Sequence, residues 1–156
     1  MKLARFLSLI VLASVVVFYV SCDGGGDPEK SEIDEQIEKL NGTWDATAVT
    51  LDGVAPTSQN YDDLQLVIQG AAGNEQVNYT VSGRPSGSNP WNSGGILEFG
   101  TANVKTELTR EDGIAVSYSV TETTLVVDFN FSGTPYDVGR VANVSGNWHF
   151  EFVKVN

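Results

Sequence analysis

Apolar residues recur at every second position through most of the chain from Thr43 onward. A period of two is the spacing of a half-buried β-strand, because successive side chains face opposite sides of a sheet. Together with a first strand over residues 43–51, the alternating runs predict eight strands. Their apolar faces would consist of Leu64, Leu66 and Ile68; Val77, Tyr79 and Val81; Leu97 and Phe99; Val104 and Leu108; Ile114, Val116, Tyr118 and Val120; Leu125, Val127, Phe129 and Phe131; and Trp148, Phe150 and Phe152.

Short turn segments such as Asp52-Gly53, Glu111-Asp112-Gly113 and Gly133-Thr134-Pro135 separate these strands. Short links join antiparallel neighbours, since parallel pairing needs crossovers of about a dozen residues or more. The sequence therefore predicts an all-β domain, an eight-stranded antiparallel up-and-down barrel. Alternation alone is equally compatible with a two-sheet β-sandwich. The hairpin-only order and one helix suited to plugging an end favour the barrel.

That short N-terminal helix begins at Ser31, whose hydroxyl suits an N-cap ahead of acidic residues in the first turn. Ile33, Ile37 and Leu40 recur at helical spacing and form a single apolar stripe. Asn41-Gly42 supplies the stop signal, with Gly42 expected to end the helix in a left-handed conformation.

The first 22 residues have the organisation of an export signal that ends in a cysteine. A basic start is followed by an uncharged run over residues 6–20, which is shorter than the roughly 20 residues that span a bilayer. We interpret residues 1–21 as a signal peptide. The segment Tyr19-Val20-Ser21-Cys22 resembles the lipobox of bacterial lipoproteins, which implies a lipid attached to Cys22. An ordinary secretory signal with an incidental cysteine is the alternative.

A tether and one folded domain follow the leader. Residues 22–31 are rich in glycine and charge and cannot bury apolar surface, so they predict a flexible tether that resembles those of Bacteroidota lipoproteins. Residues 32–156 would form the β domain. The leader holds two of the nine Lys and Arg and none of the 20 Asp and Glu, so the mature net charge is near −13. This charge argues against nucleic-acid binding.

The segment Leu40-Asn41-Gly42-Thr43-Trp44 places a Gly-x-Trp between the short helix and the first strand. With eight strands and the closing run Gly146–Phe150, it resembles the opening of the lipocalins, and in arrangement the lipocalin-like domains of bacterial lipoproteins. The resemblance implies that Trp44 is core at the closed end of a barrel. It also implies a basic residue packed over that ring, for which Arg140 and Lys154 are the candidates.

A hollow barrel would be lined by the apolar face and could bind a small apolar molecule, with Tyr79 and Tyr118 as polar handles and Phe129 and Phe150 among the lining residues. An eight-stranded barrel is equally suited to a packed interior.

The longest link, residues 82–94, carries Trp91, which either binds a partner from the loop or covers the end of the barrel. Residues 136–140 could share that rim.

Sequence patterns for catalysis and metal binding are lacking. His149 is the chain's single histidine and is expected to point outward, and Cys22 would carry lipid. We therefore expect a non-enzymatic protein without cofactor or metal. It would be anchored in the cell envelope through its lipid, at the outer rather than the inner membrane. The two functions predicted are an apolar-ligand barrel and an interaction lipoprotein with a packed barrel or sandwich, which binds protein or glycan through its loops.

Overall fold

The computed structural model describes residues 30–136 and 144–155. The predicted signal peptide, Cys22, most of the predicted tether and Arg140 lie outside these residues. In the described part, the one helix is too short and too polar to cross a membrane. The elements are helix α1 (Glu32–Leu40) and strands β1 (Gly42–Leu51), β2 (Gln65–Gln69), β3 (Gln76–Ser82), β4 (Gly94–Phe99), β5 (Glu107–Arg110), β6 (Ala115–Val120), β7 (Thr124–Phe131) and β8 (Gly146–Lys154).

The eight strands form a closed antiparallel barrel in sequence order. Each strand pairs with the next, and β1 closes the barrel against β8 from Trp44–Lys154 to Leu51–Trp148. This arrangement confirms the predicted barrel with one short helix rather than the two-sheet sandwich. The predicted alternation places the apolar side chains inside, as in β3, where Val77, Tyr79 and Val81 are buried and their neighbours are exposed.

The fifth strand is shorter than the sequence predicts. Alternation placed Val104 and Leu108 on one strand, but β5 begins only at Glu107. The carbonyl of Asn103 accepts hydrogen bonds from the N–H groups of Thr106 and Glu107, at 3.0 and 2.9 Å. This turn removes Val104 from the strand and leaves it packed against one end of the barrel core.

Helix α1 plugs the end of the barrel at which β1 begins. The Ser31 hydroxyl accepts from the Asp34 N–H at 3.1 Å, which is the predicted N-cap and a contact worth about 1 kcal/mol. Ile37 and Leu40 are buried in the core. The Asp34 carboxylate accepts from the Gly73 N–H at 2.7 Å, so the turn between β2 and β3 holds the helix in place.

The Asn41-Gly42 pair ends the helix where the sequence predicted, with Asn41 as the C-cap and Gly42 directly after it. Gly42 is also the first residue of β1, and its φ of +140° is a positive angle that favours glycine. A Cβ at this position would lie 2.7 Å from Cε of Lys154. The backbone angle and the close approach of that lysine together explain the glycine.

Candidate functional site

Trp44 occupies the closed end of the barrel and is fully buried. Its indole N–H donates to the Leu40 carbonyl at 2.8 Å, so the ring caps the last turn of α1. The Lys154 ammonium lies 4.9 Å from the centre of the ring and donates to the Lys39 carbonyl at 3.0 Å. Lys154 therefore occupies the place over Trp44 for which the resemblance offered Arg140 or Lys154.

A column of aromatic rings runs through the barrel along β8. Trp148, Phe150 and Phe152 stack at centroid separations of 5.6 and 6.1 Å, and Phe129 stacks on Phe150 at 5.7 Å. Such contacts add to the stabilisation that the rings gain from burial. Phe129 and Phe150, two of the predicted lining residues, are thus in contact with each other inside the barrel.

The two tyrosines predicted as polar handles lie at different places in the barrel. Tyr118 lies near the closed end, where its hydroxyl donates to the Val104 carbonyl and contacts the buried Gln36 side chain. Tyr79 packs edge-on against Trp91 with ring centres 5.4 Å apart. Burial raises the pKa of Tyr79 to about 12 and that of Tyr118 further still, so both phenols are neutral at physiological pH.

Trp91 is buried inside the open end of the barrel, although it comes from the long loop between β3 and β4. Besides Tyr79, its ring contacts Phe129 at 5.1 Å and Phe150 at 5.8 Å, in edge-on geometry. The loop thus folds back so that its aromatic residue meets the aromatic column. The surface of the loop presents its polar residues instead.

Arg110 is buried at the same end of the barrel, which we call the mouth, and contacts three segments of the chain there. Its guanidinium donates to the Pro90 carbonyl at 2.9 Å and to the Asp112 carboxylate at 2.8 Å. The carbon at the centre of the guanidinium lies 5.1 Å from the Trp91 and Phe129 ring centres. A buried cation needs such partners, because desolvation without pairing is costly.

Three buried polar atoms in this cluster have no hydrogen-bond partner among the described residues. They are the Trp91 indole nitrogen, the Arg110 Nε and the Asn89 side-chain oxygen. The Asn89 amide nitrogen, in contrast, donates to the carbonyls of Pro85 and Gly87 at 2.9 and 2.8 Å. The mouth is therefore held by polar contacts that are only partly satisfied, while the column beneath it is apolar.

Replacing Asp112 with asparagine is expected to lower the free energy of unfolding by about 2 kcal/mol. Breaking a buried ion pair costs about 3–5 kcal/mol, but the Asp112 side chain is 25% exposed and solvent screens it in part. Urea unfolding followed by circular dichroism measures the loss. In the double variant Arg110→Met/Asp112→Asn the loss of free energy of unfolding should be smaller, because no unpaired cation is left. An equal or larger loss would contradict the role of the Arg110–Asp112 ion pair.

The Asp112 carboxyl should also titrate below its ordinary range. Burial acts to raise its pKa, but the hydrogen bond from Tyr136 and the charge of Arg110 outweigh it, so the pKa is lowered. Since the folded pKa lies below the unfolded one, the stabilisation is present above about pH 4 and is lost as the pH falls through the folded value.

Two residues that organise the mouth were not anticipated from the sequence. Arg110 has the same parity as Leu108 on β5, so alternation could have placed it inside the barrel. Tyr61 lies in the loop between β1 and β2, where no periodicity applies. Its ring meets Trp148 at 5.6 Å, and its hydroxyl donates to the Gln59 side chain at 3.0 Å.

His149 points outward from β8, as predicted. Its Nδ1 lies 2.7 Å from the Asp128 carboxylate and its Nε2 lies 3.2 Å from that of Glu151. Ser117, on β6, is directly opposite Asp128 in the register, so Asp128 stands between the serine and the histidine. Two strand spacings, or about 10 Å, separate Ser117 from His149, too far for a nucleophile and its base.

The imidazole of His149 should titrate above its ordinary pKa of about 6.5. The hydrogen bond to Asp128 raises it most, burial opposes the rise, and Glu151 adds to it. The contribution to stability is therefore complete below the unfolded pKa and is lost as the pH rises through the folded one. Because the chain has one histidine, a single imidazole NMR titration measures this directly.

Asp128→Asn should lower the imidazole midpoint, whereas Glu122→Gln, in the turn before β7, serves as the matched control. A midpoint that does not move in Asp128→Asn would show that the observed contact does not govern the titration.

Two hollows lie outside the aromatic column. One, of about 480 Å³, lies between β1 and the loop at residues 55–62. The other, of about 740 Å³, lies on the outer face of β6 to β8 around Asp128 and His149. Within residues 30–136 and 144–155, no three His, Cys, Asp or Glu side chains converge as a metal site. No protein-family model and no curated protein matches the chain.

Proposed function

We propose that the protein is a non-enzymatic lipoprotein of the cell envelope whose barrel is a packed scaffold that binds its partners on the outside. In this proposal residues 1–21 direct export, Cys22 carries the lipid, and the envelope membrane, outer rather than inner, holds the anchor. The uncharged run over residues 6–20 and the cysteine two positions after it support the anchoring part.

The position of Trp91 is the observation that carries the binding part of the proposal. Its ring occupies the mouth and touches Tyr79, Phe129 and Phe150. Tyr61 fills a neighbouring position against Trp148 and Phe150. Two loops therefore contribute side chains to the place that an apolar guest would occupy.

The absence of an enzymatic role in this proposal rests on the arrangement of the side chains on the barrel. His149 is held between two carboxylates on the outer face, and Ser117 is a further strand away. Arg110, the buried cation of the mouth, is paired with Asp112. These contacts give His149, Arg110 and Asp112 partners within the barrel.

The competing proposal is a small apolar molecule bound within the barrel, in which the ring of Trp91 would leave the column. Two measurements distinguish this ligand-binding barrel from the packed scaffold. One is Trp fluorescence during titration with fatty acids, and the other is native mass spectrometry of protein purified without detergent from a lipid-containing extract. The chain from residue 23 onward holds every described element and serves for both measurements. We expect an apo mass and no saturable change; one fatty acid per chain would overturn the packed scaffold.

The anchor is tested separately, by membrane fractionation and palmitate labelling of cells that produce the full chain. Cys22→Ala should lose the label and move to the soluble fraction. Ser58→Ala, in an exposed loop of the folded domain, is the control and should behave as the wild type. Retention of the label in Cys22→Ala would contradict lipidation at this residue.

A further inference from the structure

The wall of the barrel has a gap beside the upper half of β1. On this side β2 pairs only with residues 42–45, because its first residue, Gln65, lies opposite Asp45. The N–H of Ala46 donates to the Leu64 carbonyl at 2.9 Å, and beyond it the loop to β2 turns away from the strand. The strand continues to Leu51, where a tight turn brings Val54 back to it.

Val49 lies in the middle of this gap. Antiparallel strands bond through alternate residues, and Asp52 bonds to Asn147 of β8 at 2.8 Å. In this register the backbone N–H and carbonyl of Thr50 point toward β8, whereas those of Val49 and Leu51 point to the other side of the strand. Leu51 confirms this, because its N–H and carbonyl exchange bonds with Val54 at 2.9 and 3.1 Å.

No partner for the Val49 N–H and carbonyl is found among residues 30–136 and 144–155. The two groups face the 480 Å³ hollow, which is lined by five consecutive residues of β1, so the edge of the strand forms the wall. The other side is formed by loop residues that include Ala55, Pro56, Tyr61 and Asp62. The free backbone N–H and carbonyl of Val49 thus border a space whose walls are small apolar, aromatic and polar side chains.

We propose that this groove binds a secondary amide, which adds to the edge of β1 at Val49. An amide N–H would donate to the Val49 carbonyl, and the amide oxygen would accept from the Val49 N–H, as a neighbouring strand residue does. Ala46, Ala48 and Ala55 leave room for the small group next to such an amide. The inference rests on the proposed function, because it names the ligand class for a partner bound outside the barrel.

The dimensions of the gap limit what can enter. The Ala46–Leu64 bond closes it below and the Leu51–Val54 pair closes it above, so the four strand residues 47–50, or roughly 13 Å, are available. A continuous strand cannot pass, whereas an acetamido group or the end of a peptide fits. Asp62 at the rim and the strongly acidic chain favour a neutral or cationic ligand over an anion.

The test is ¹H–¹⁵N NMR of the full chain in detergent micelles, with the Val49 amide as the reporter. N-acetylglucosamine and N-acetylalanine methylamide present the same amide from a sugar and from a peptide, and glucose is the control without it. A saturable shift at Val49 with either amide, and none with glucose, supports the proposal and identifies the source. No shift with either amide, or an equal shift with glucose, would overturn it.

Ala55→Leu should fill the groove and weaken amide binding at least tenfold. Ala71→Leu makes the same change in the exposed turn between β2 and β3 and should leave binding unchanged. Equal affinity in both variants would place the ligand elsewhere. The fatty-acid titration is independent, because binding inside the barrel would overturn the packed scaffold and leave the Val49 shift as it is.

Discussion

Trp91→Ala is expected to lower the free energy of unfolding by about 4 kcal/mol, as for other large-to-small changes of a buried tryptophan. The ring is only 2% exposed and contacts Tyr79, Phe129 and Phe150 as well as the guanidinium of Arg110. Its removal withdraws one partner from each of these contacts and leaves a cavity in the mouth. Urea unfolding followed by circular dichroism measures the loss.

The same variant should gain a property that the wild type lacks. The space left by the ring is bordered by Tyr79, Phe129 and Phe150 and by the Arg110 guanidinium, and it has room for a small guest of about the size of benzene. We expect benzene to raise the melting temperature of Trp91→Ala and to leave that of the wild type unchanged. Trp91→Phe is the matched control, since it keeps a ring in the mouth; stabilisation of the wild type by benzene would show that the interior already has space.

Trp44→Ala should cost a similar amount, about 4 kcal/mol, at the opposite end of the barrel. Trp44 is fully buried, caps the Leu40 carbonyl and lies under the Lys154 ammonium. The change therefore removes core volume and the indole N–H that holds the end of α1. Thermal unfolding monitored by circular dichroism, with loss of helical signal ahead of the main transition, is the expected result.

Two further variants separate the contributions of Trp44. Trp44→Phe keeps most of the ring but leaves the buried Leu40 carbonyl without its donor, which costs about 1–3 kcal/mol. Lys154→Met keeps the alkyl chain but removes both the charge over the ring and the hydrogen bond to the Lys39 carbonyl, for which we expect a loss of about 1–2 kcal/mol. A Trp44→Ala variant that is as stable as Lys154→Met would contradict the role of the ring as core.

The barrel could be predicted because its strands share one pattern, the alternation of inward apolar and outward polar residues. Alternation identifies the inward residues of β3 and β7 without further information, and the short turns dictate the order of pairing. The helix cap at Ser31 also follows from local chemistry. The choice between Arg140 and Lys154 over Trp44 needed the structure, since only the register of β1 against β8 brings Lys154 to that ring.

The mouth could not be predicted in the same way. Trp91 and Tyr61 lie in long loops, whose path depends on contacts distant in sequence. Alternation places Arg110 on the inner face of β5, but a charged residue is not expected at a core position. Its burial is explained only by the contacts with Asp112 and the Pro90 carbonyl, which the structure shows. The gap at Val49 also depends on where β2 begins, and element boundaries are the part of a pattern that the sequence defines least.

The pairing of β1 with β8 sets the order of events when the chain folds. Lys154 must find Trp44 across about a hundred residues, and contacts of such long range are formed slowly because their loop-closure entropy has to be overcome first. Until β8 is available, β1 and β7 each lack a neighbour, and the aromatic column lacks Trp148, Phe150 and Phe152. During synthesis from the N-terminus, the barrel therefore cannot close before β8 has emerged.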